Sequence, residues 1–187
     1  IRLTTDPAYD QTAFEALLEI KGDSDHSKLI EMLEVLNDET SSMEDELFAT
    51  YFDKENIAYW MAFQLLTGNT DTQNRNVYLY SPQNSSKWYL WDWDNDGMLR
   101  RREREIIKFS DSESWERGVS NYWGNVLFRR CLQTQSYRDM LDAAMKELYA
   151  YMNEERIQSM LEHYRSVTET YVWQMPDRMH VPITHAE

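Results

Sequence analysis

TGNTDTQNRNVYLY, from Thr67 to Tyr80, is where the apolar residues change from helical to strand spacing. Upstream, Asp53 is a predicted N-cap for a helix over Lys54–Thr67, and Gly68 marks the end of that helix. Downstream, the period falls to about 2 residues, which predicts a strand over Val77–Tyr80. The stretch therefore joins a helix to a strand through a polar loop.

The predicted strand forms the first half of a β-hairpin. A polar loop over Ser81–Ser86 leads to a second run of strand type, Lys87–Trp93. Because side chains alternate along a strand, Asp92 and Asp94 are expected to point to the same side at its end.

Predicted helices flank the hairpin on both sides in sequence. Apolar spacing predicts short helices around Phe14–Leu18 and Leu29–Leu36 and a third over Met43–Phe52. After a mixed segment, Asn95–Gly124, three more are predicted: Tyr122–Leu132, Tyr137–Met152 capped by Ser136, and Glu154–Met175 capped by Asn153 and followed by Pro176. The expected fold class is α+β, mostly α, with one central hairpin, in a single domain over residues 1–187.

Composition indicates a folded chain and limits the kinds of partner that it can bind. The chain is 42% hydrophobic and 13% aromatic, which is enough apolar surface for a folded core. Its net charge of −14 argues against nucleic acid and anionic membranes, and favours a cationic partner or a metal. No apolar run approaches the ~20 residues of a membrane span. The chain begins at Ile1, so the absence of a targeting segment is uninformative.

The single cysteine, Cys131, cannot form a disulfide within the chain. It lies in an apolar helical run with Leu127 and Leu132, so we expect a small buried side chain.

Asp71-Thr-Gln-Asn-Arg-Asn76, the hairpin and then Asp92 follow one another in the order found where a phosphoryl group is transferred from ATP. In that chemistry one Asp orients and deprotonates the acceptor hydroxyl, while an Asn and a second Asp hold Mg²⁺ through their oxygens. Taken alone, an Asp and an Asn in a polar loop are also common turn formers, and the spacing leaves both interpretations open.

Four segments of the chain resemble the conserved core of the CotH family of atypical, secretory-type kinases, first known from bacterial spore coats. They are Tyr51-Phe-Asp-Lys-Glu-Asn56, Leu66-Thr-Gly-Asn-Thr-Asp71, Asn76-Val-Tyr-Leu-Tyr80 and Lys87-Trp-Tyr-Leu-Trp-Asp-Trp-Asp94. A looser resemblance continues through Trp123-Gly-Asn-Val-Leu-Phe-Arg-Arg130.

The resemblance implies a role for each matching residue. Asp71 matches the catalytic Asp, while Asn76 and Asp92 match the residues that bind the ATP cofactor's metal, Mg²⁺ or Mn²⁺. Asp94 belongs to the same motif and is a further candidate metal ligand. The implied reaction is transfer of the ATP γ-phosphoryl group to Ser or Thr of a protein substrate. The implied fold is a protein-kinase-like C-terminal lobe, and the implied location is extracellular or at the spore or cell surface of a bacterium.

Two departures from the family pattern qualify this interpretation. The sequence before Asp71 shows neither a strand with a nucleotide-binding Lys nor a Gly-rich loop to cover the nucleotide. The chain therefore resembles the C-terminal lobe of a larger kinase domain, and we expect this lobe to be inactive on its own. Asn95-Asp-Gly-Met98 stands where the family usually continues towards a Phe-Gly pair.

The same departure raises a calcium-binding alternative. Asp92 to Glu103 satisfies the EF-hand pattern, with Asp at positions one, three and five, Gly97 at six, the apolar Leu99 at eight and Glu at twelve. However, Trp88–Trp91 is strand-like rather than an entering helix.

A third alternative is a non-catalytic surface module with a CotH-like fold. Trp88, Trp91 and Trp93 could stack on a carbohydrate, although aromatic residues on a hairpin are commonly core or rim. The basic cluster Arg100–Arg104 could bind phosphate or an acidic segment, or form a solvated patch.

Overall fold

The computed structural model describes residues 10–17, 24–69, 71–73, 75–98, 119 and 122–180. The chain divides into two compact units, Ile1–Met145 and Lys146–Glu187. The hairpin and all four candidate site residues belong to the first unit.

Helices dominate the described residues, with one small sheet. The α-helices are α1 Gln11–Leu17, α2 Ser27–Asn37, α3 Lys54–Leu66, α4 Val126–Gln133, α5 Gln135–Tyr151 and α6 Glu154–Val172. A π-helix covers Met43–Tyr51, and 3-10 turns cover Asp71–Gln73, Asn95–Gly97 and Asp177–His180. The strands are β1 Tyr78–Tyr80 and β2 Tyr89–Trp91. This confirms the predicted α+β class, mostly α with one hairpin. No described helix is long and apolar enough to cross a membrane.

Helix α3 begins and ends where its sequence predicts. The Asp53 carboxylate accepts a 2.8 Å hydrogen bond from the Asn56 N–H, which satisfies one of the free donors of the first turn. At the other end Gly68 has φ 63°, a left-handed conformation that glycine adopts without a Cβ clash.

The core of the first unit lies between α3, α4 and α5. Trp60 of α3 stacks on Phe128 of α4 with 5.4 Å between ring centroids. Cys131, three residues after Phe128 in α4, is fully buried, as predicted. The further buried apolar side chains of these three helices are Ile57, Ala58, Met61 and Ala62 of α3, Leu127 and Leu132 of α4, and Tyr137, Leu141, Ala144 and Met145 of α5.

The hairpin is fixed to this core through its second strand. β1 and β2 are antiparallel, with Leu79 opposite Leu90. The Asn56 side chain, in the first turn of α3, accepts from the Leu90 N–H at 2.7 Å and donates to the Leu90 carbonyl at 3.2 Å. The Trp88 N–H donates to the Tyr51 carbonyl at 2.6 Å. These bonds tie the second strand to the first turn of α3 and to the end of the π-helix.

Arg130 of α4 binds the chain that follows α2. Its guanidinium donates to the carbonyls of Leu36 at 2.6 Å, Asp38 at 3.0 Å and Ser41 at 2.6 Å, and to the Ser41 hydroxyl at 3.0 Å. A planar group with five donors suits such a cluster of acceptors, and one side chain therefore ties two parts of the fold together.

Several predicted helices differ in detail from those observed. The third, over Met43–Tyr51, is a π-helix, capped by the hydroxyl of Ser42. The helix expected from Tyr122 begins at Val126, because the Asn125 side chain caps it by accepting from two N–H groups. Ser136 is not a cap: it lies inside the first turn of α5, and its hydroxyl donates to Glu44.

Helix α6 is the main element of the second unit. The predicted Asn153 cap is confirmed, since its side chain accepts from the Arg156 N–H at 3.0 Å. The helix ends at Val172 rather than Met175.

Candidate active site

The end of α3 turns the chain sharply into the candidate site. The N–H of Gly68 donates to the Leu65 carbonyl at 3.2 Å, and the N–H of Asn69 donates to the Gln64 carbonyl at 3.0 Å. This pair of bonds is a Schellman motif, which satisfies the last carbonyls of the helix. Asn69 is thereby placed with its side chain almost fully buried, 2% exposed.

Asp71 opens the 3-10 turn that follows. Its N–H donates to the Asn69 side-chain oxygen at 3.2 Å, and its carbonyl accepts from the Arg75 N–H at 3.1 Å. The next residue, Thr72, is fully buried, and its hydroxyl lies 3.3 Å from the Tyr122 hydroxyl. Thr72 anchors the turn in the core while Asp71 stays partly exposed.

Asn76 and Asp94 form a pair on either side of the hairpin. Both adopt the left-handed conformation, with φ 55° and 53°, which Asn and Asp tolerate better than most residues. The Asn76 amide nitrogen donates to Asp94 Oδ2 at 3.1 Å. Because its nitrogen is held by a carboxylate, the amide oxygen of Asn76 is the end that can serve a hard cation.

Asp92 follows β2 and faces α3. Its Oδ1 accepts a 3.0 Å hydrogen bond from the Gln64 amide nitrogen. Partial desolvation of the carboxyl raises the pKa of Asp92, and the bond from Gln64 opposes that rise. A bound divalent cation would favour the ionised form and so reverse the effect of desolvation.

The strand that carries Asp92 is shorter than predicted. β2 ends at Trp91 rather than Trp93, and Asp94 is left-handed, so strand alternation does not extend through these residues. Asp92 and Asp94 accordingly have different partners, Gln64 and Asn76.

Gly97 brings the two halves of the site together. A Cβ on Gly97 would lie 2.8 Å from Asn69 Oδ1 and 3.2 Å from Asp71 Oδ2. The turn that follows Asp92 therefore lies directly against the Asp71 carboxylate, with room only for glycine. Two motifs separated by the whole hairpin meet at this point.

Gln64, Asn69 and Gly97 are site residues that motif reasoning did not single out. A signal for Gln64 was present, because it is a polar residue between Phe63 and Leu65 in an otherwise apolar part of α3. Its position could not be assigned without the partner loop.

Within the described ranges, no group of three or more His, Cys, Asp and Glu side chains is placed to hold a metal ion. The candidate residues Asn76, Asp92 and Asp94 carry amide and carboxylate oxygens. Carboxylates and amide carbonyls are ligands of the kind that Mg²⁺ and Mn²⁺ accept.

The EF-hand alternative lacks its entering helix. The residues before Asp92 form strand β2, whereas an EF-hand loop is preceded by a helix. Glu103, the twelfth position of the pattern, and the basic cluster Arg100–Arg104 lie outside the described residues.

Comparison with families of known proteins places the chain among kinase-related proteins. Residues 2–184 match a family model described as CotH kinase protein. The chain therefore belongs to the CotH family, and the resemblance seen in its motifs is confirmed. Searches of curated proteins and of solved structures gave no significant match.

Proposed function

We propose that the protein is an atypical kinase that transfers the γ-phosphoryl group of ATP to Ser or Thr of a protein substrate. Family membership supports a kinase-related function. The observation that supports the site most directly is the contact of the Gly97 turn with the Asp71 carboxylate, because it joins the loop of the proposed base to the loop of the proposed metal ligand.

Each residue has a chemical role in this proposal. Asp71 orients the acceptor hydroxyl and takes its proton, which its partial exposure allows. Asn76 and Asp92 hold Mg²⁺ or Mn²⁺ through oxygen atoms, and Asp94 binds the Asn76 nitrogen so that the amide oxygen is presented. The metal, when bound, neutralises charge on the phosphates of ATP.

We further propose that the chain supplies the C-terminal lobe of a kinase domain that acts at a spore, cell or extracellular surface. The described residues before Asp71 are helical, apart from turns and an isolated bridge, and offer no strand with a nucleotide-binding Lys. We therefore expect the 187 residues alone to transfer phosphate poorly and a version extended at the N-terminus to transfer it well.

Phosphate transfer from labelled ATP to a protein acceptor tests the proposal. In the extended protein, Asp71→Ala and Asp92→Asn are each expected to abolish transfer. Asp139→Asn is a matched control, because Asp139 is an exposed acid far from the site in sequence, and its carboxylate accepts a hydrogen bond from Gln135 of the same helix, α5. Transfer that survives both site changes would remove these roles.

A second candidate function is non-catalytic binding of a carbohydrate or a protein. It is supported by four exposed aromatic side chains on the hairpin, arranged in two ring pairs. Tyr78 lies 5.1 Å from Trp93, and Tyr80 lies 6.1 Å from Trp91, measured between ring centroids. A glycan array and a pull-down compare wild type, Trp91→Ala and Asp92→Asn. Binding lost only in Trp91→Ala supports a binding module, and the absence of any ligand counts against it.

Calorimetry separates the kinase from a calcium-binding loop. Ca²⁺ bound tightly without nucleotide would favour a calcium role for the segment from Asp92. Metal uptake that requires ATP and is lost in Asp92→Asn would favour the kinase.

A further inference from the structure

A chain of hydrogen bonds through side-chain amides links the Asp92 carboxylate to the backbone of Asp71. The Gln64 amide nitrogen donates to Asp92 Oδ1 at 3.0 Å and to Asn95 Oδ1 at 3.3 Å. The same Asn95 oxygen accepts from the Asn69 amide nitrogen at 3.2 Å. The Asn69 oxygen in turn accepts from the Asp71 N–H at 3.2 Å. We call Gln64, Asn69 and Asn95 the amide relay.

The relay is buried at a cost that an apolar side chain would avoid. Gln64 is 1% exposed and Asn69 is 2% exposed, and Ala62 and Met61 beside Gln64 in sequence are fully buried apolar residues. A buried amide is tolerated only when its polar atoms are paired. The Gln64 side-chain oxygen has no hydrogen-bond partner among the described residues, so this amide is only half satisfied.

The direction of the bonds suits a supporting role. The Gln64 amide nitrogen has two N–H groups, which allows it to donate to both Asp92 and Asn95. This bond restrains the Asp92 carboxylate through Oδ1 and does not use Oδ2. Groups that hold a metal ligand in this way commonly control affinity without touching the ion.

We propose that Gln64 is a positioning residue that, through the amide relay, sets the Asp92 carboxylate for metal binding and locks it in register with the Asp71 loop. This inference rests on the proposed kinase function and deepens it. It adds no ligand to the metal. It assigns the orientation of the Asp92 carboxylate, and its register with the separate loop of Asp71, to one side chain of α3.

The test compares wild type, Gln64→Met and Thr67→Val in the full-length protein that the gene encodes. Met has nearly the volume of Gln but no donor. Thr67 is a matched control, since it is a buried polar residue at the end of the same helix and its hydroxyl donates only to helix carbonyls, Phe63 at 2.8 Å and Gln64 at 3.4 Å. Mn²⁺ binding in the presence of ATP is followed by electron paramagnetic resonance, and stability by thermal unfolding.

We expect Gln64→Met to bind Mn²⁺ about 10- to 100-fold more weakly. We expect its melting temperature to change little, because removal of a buried oxygen without a partner offsets the loss of the hydrogen bonds to Asp92 and Asn95. Thr67→Val should bind Mn²⁺ as wild type does. A residue with a purely structural role would instead lower the melting temperature and leave metal affinity unchanged.

The outcomes separate the two proposals. Equal Mn²⁺ affinity in wild type and Gln64→Met overturns the positioning role and leaves the kinase proposal standing. Equal losses of affinity in Gln64→Met and Thr67→Val overturn it too, since the effect would then be general. If wild type takes up no Mn²⁺ with ATP, the kinase proposal fails, and the positioning role fails with it.

Discussion

Replacing Gly97 by Ala should damage the site through one added carbon atom. The new Cβ would stand 2.8 Å from Asn69 Oδ1, well inside the 3.4 Å at which ordinary contact begins, so a neighbour must shift by several tenths of an ångström. Asn69 cannot swing out freely, because it is buried and both ends of its amide are bonded. Overpacking of this kind costs about 1–3 kcal/mol. The shift would also move Asp71, whose Oδ2 is 3.2 Å from the same Cβ.

Two other glycines provide matched controls for Gly97→Ala. Gly124 has open space around its Cβ position and no positive φ, so Gly124→Ala should be neutral or stabilise the fold by about 0.4–1 kcal/mol. Gly68 also has open space but a φ of 63°, so Gly68→Ala should cost about 1–2 kcal/mol through backbone strain alone.

Urea unfolding of the three variants gives the free energies, and phosphate transfer gives the effect on the site. Gly97→Ala should lose both stability and transfer, whereas Gly68→Ala should lose stability while the folded protein keeps more of its activity. If Gly97→Ala proved as stable and as active as Gly124→Ala, the close approach of the two loops would be wrong.

Three further predictions concern stability. Arg130→Ala should lower the free energy of unfolding by about 3 kcal/mol, because several carbonyls lose a charged donor, and Arg130→Lys should lower it by a smaller amount. If calorimetry gave Arg130→Lys the melting temperature of wild type, this prediction would be wrong. Burial raises the pKa of Cys131 above its ordinary 9.0 and the pKa of Tyr137 well above its ordinary 10.0. The stability that each neutral group contributes is therefore complete below its ordinary pKa. It falls as pH rises above that pKa, by up to about 1.4 kcal/mol per pH unit for each group. Urea unfolding from pH 8 to 11 should show that decline, and a flat profile would exclude it. Asn56→Ala should lower the free energy of unfolding in urea by about 2 kcal/mol, because both backbone groups of Leu90 lose their partner, and Asn56→Asp should be intermediate. An Asn56→Ala protein of wild-type stability would show that the bonds between Asn56 and Leu90 are dispensable.

The elements with local signals could be predicted from the sequence. Helix α3 has an Asp cap, an apolar interior and a terminal glycine, and each of these acts within a few residues of itself. The hairpin follows from its aromatic runs, and the Asn153 cap from a short polar residue before a helical pattern. Local chemistry decided these elements, so a single sequence was sufficient.

Features set by distant contacts could not be predicted in the same way. The π-helix over Met43–Tyr51 has ordinary helical composition, and nothing in its sequence distinguishes it from an α-helix. β2 stops at Trp91, and three residues later Asp94 is left-handed and accepts a hydrogen bond from Asn76, a residue on the other side of the hairpin. Ser136 reads as a cap, but its hydroxyl binds Glu44 far away in sequence.

The candidate site shows the same division. Asp71, Asn76 and Asp92 can be identified from the sequence, because their residue types and their order along the chain suffice to indicate the chemistry. Gln64 is ordinary in a helix until the loop that it supports is known, and Gly97 is an ordinary turn residue until Asp71 is placed against it.

The attachment to α3 of β2 and of Asp92, the residue directly after it, has a consequence for local opening motions. Asn56 near the start of the helix binds Leu90, and Gln64 near its end binds Asp92. A strand held at one point can pivot, whereas a strand held at two points on one rigid rod must detach from both to move. We therefore expect the backbone amides of α3 and β2 to exchange with deuterium as a single cooperative unit, with one shared opening free energy.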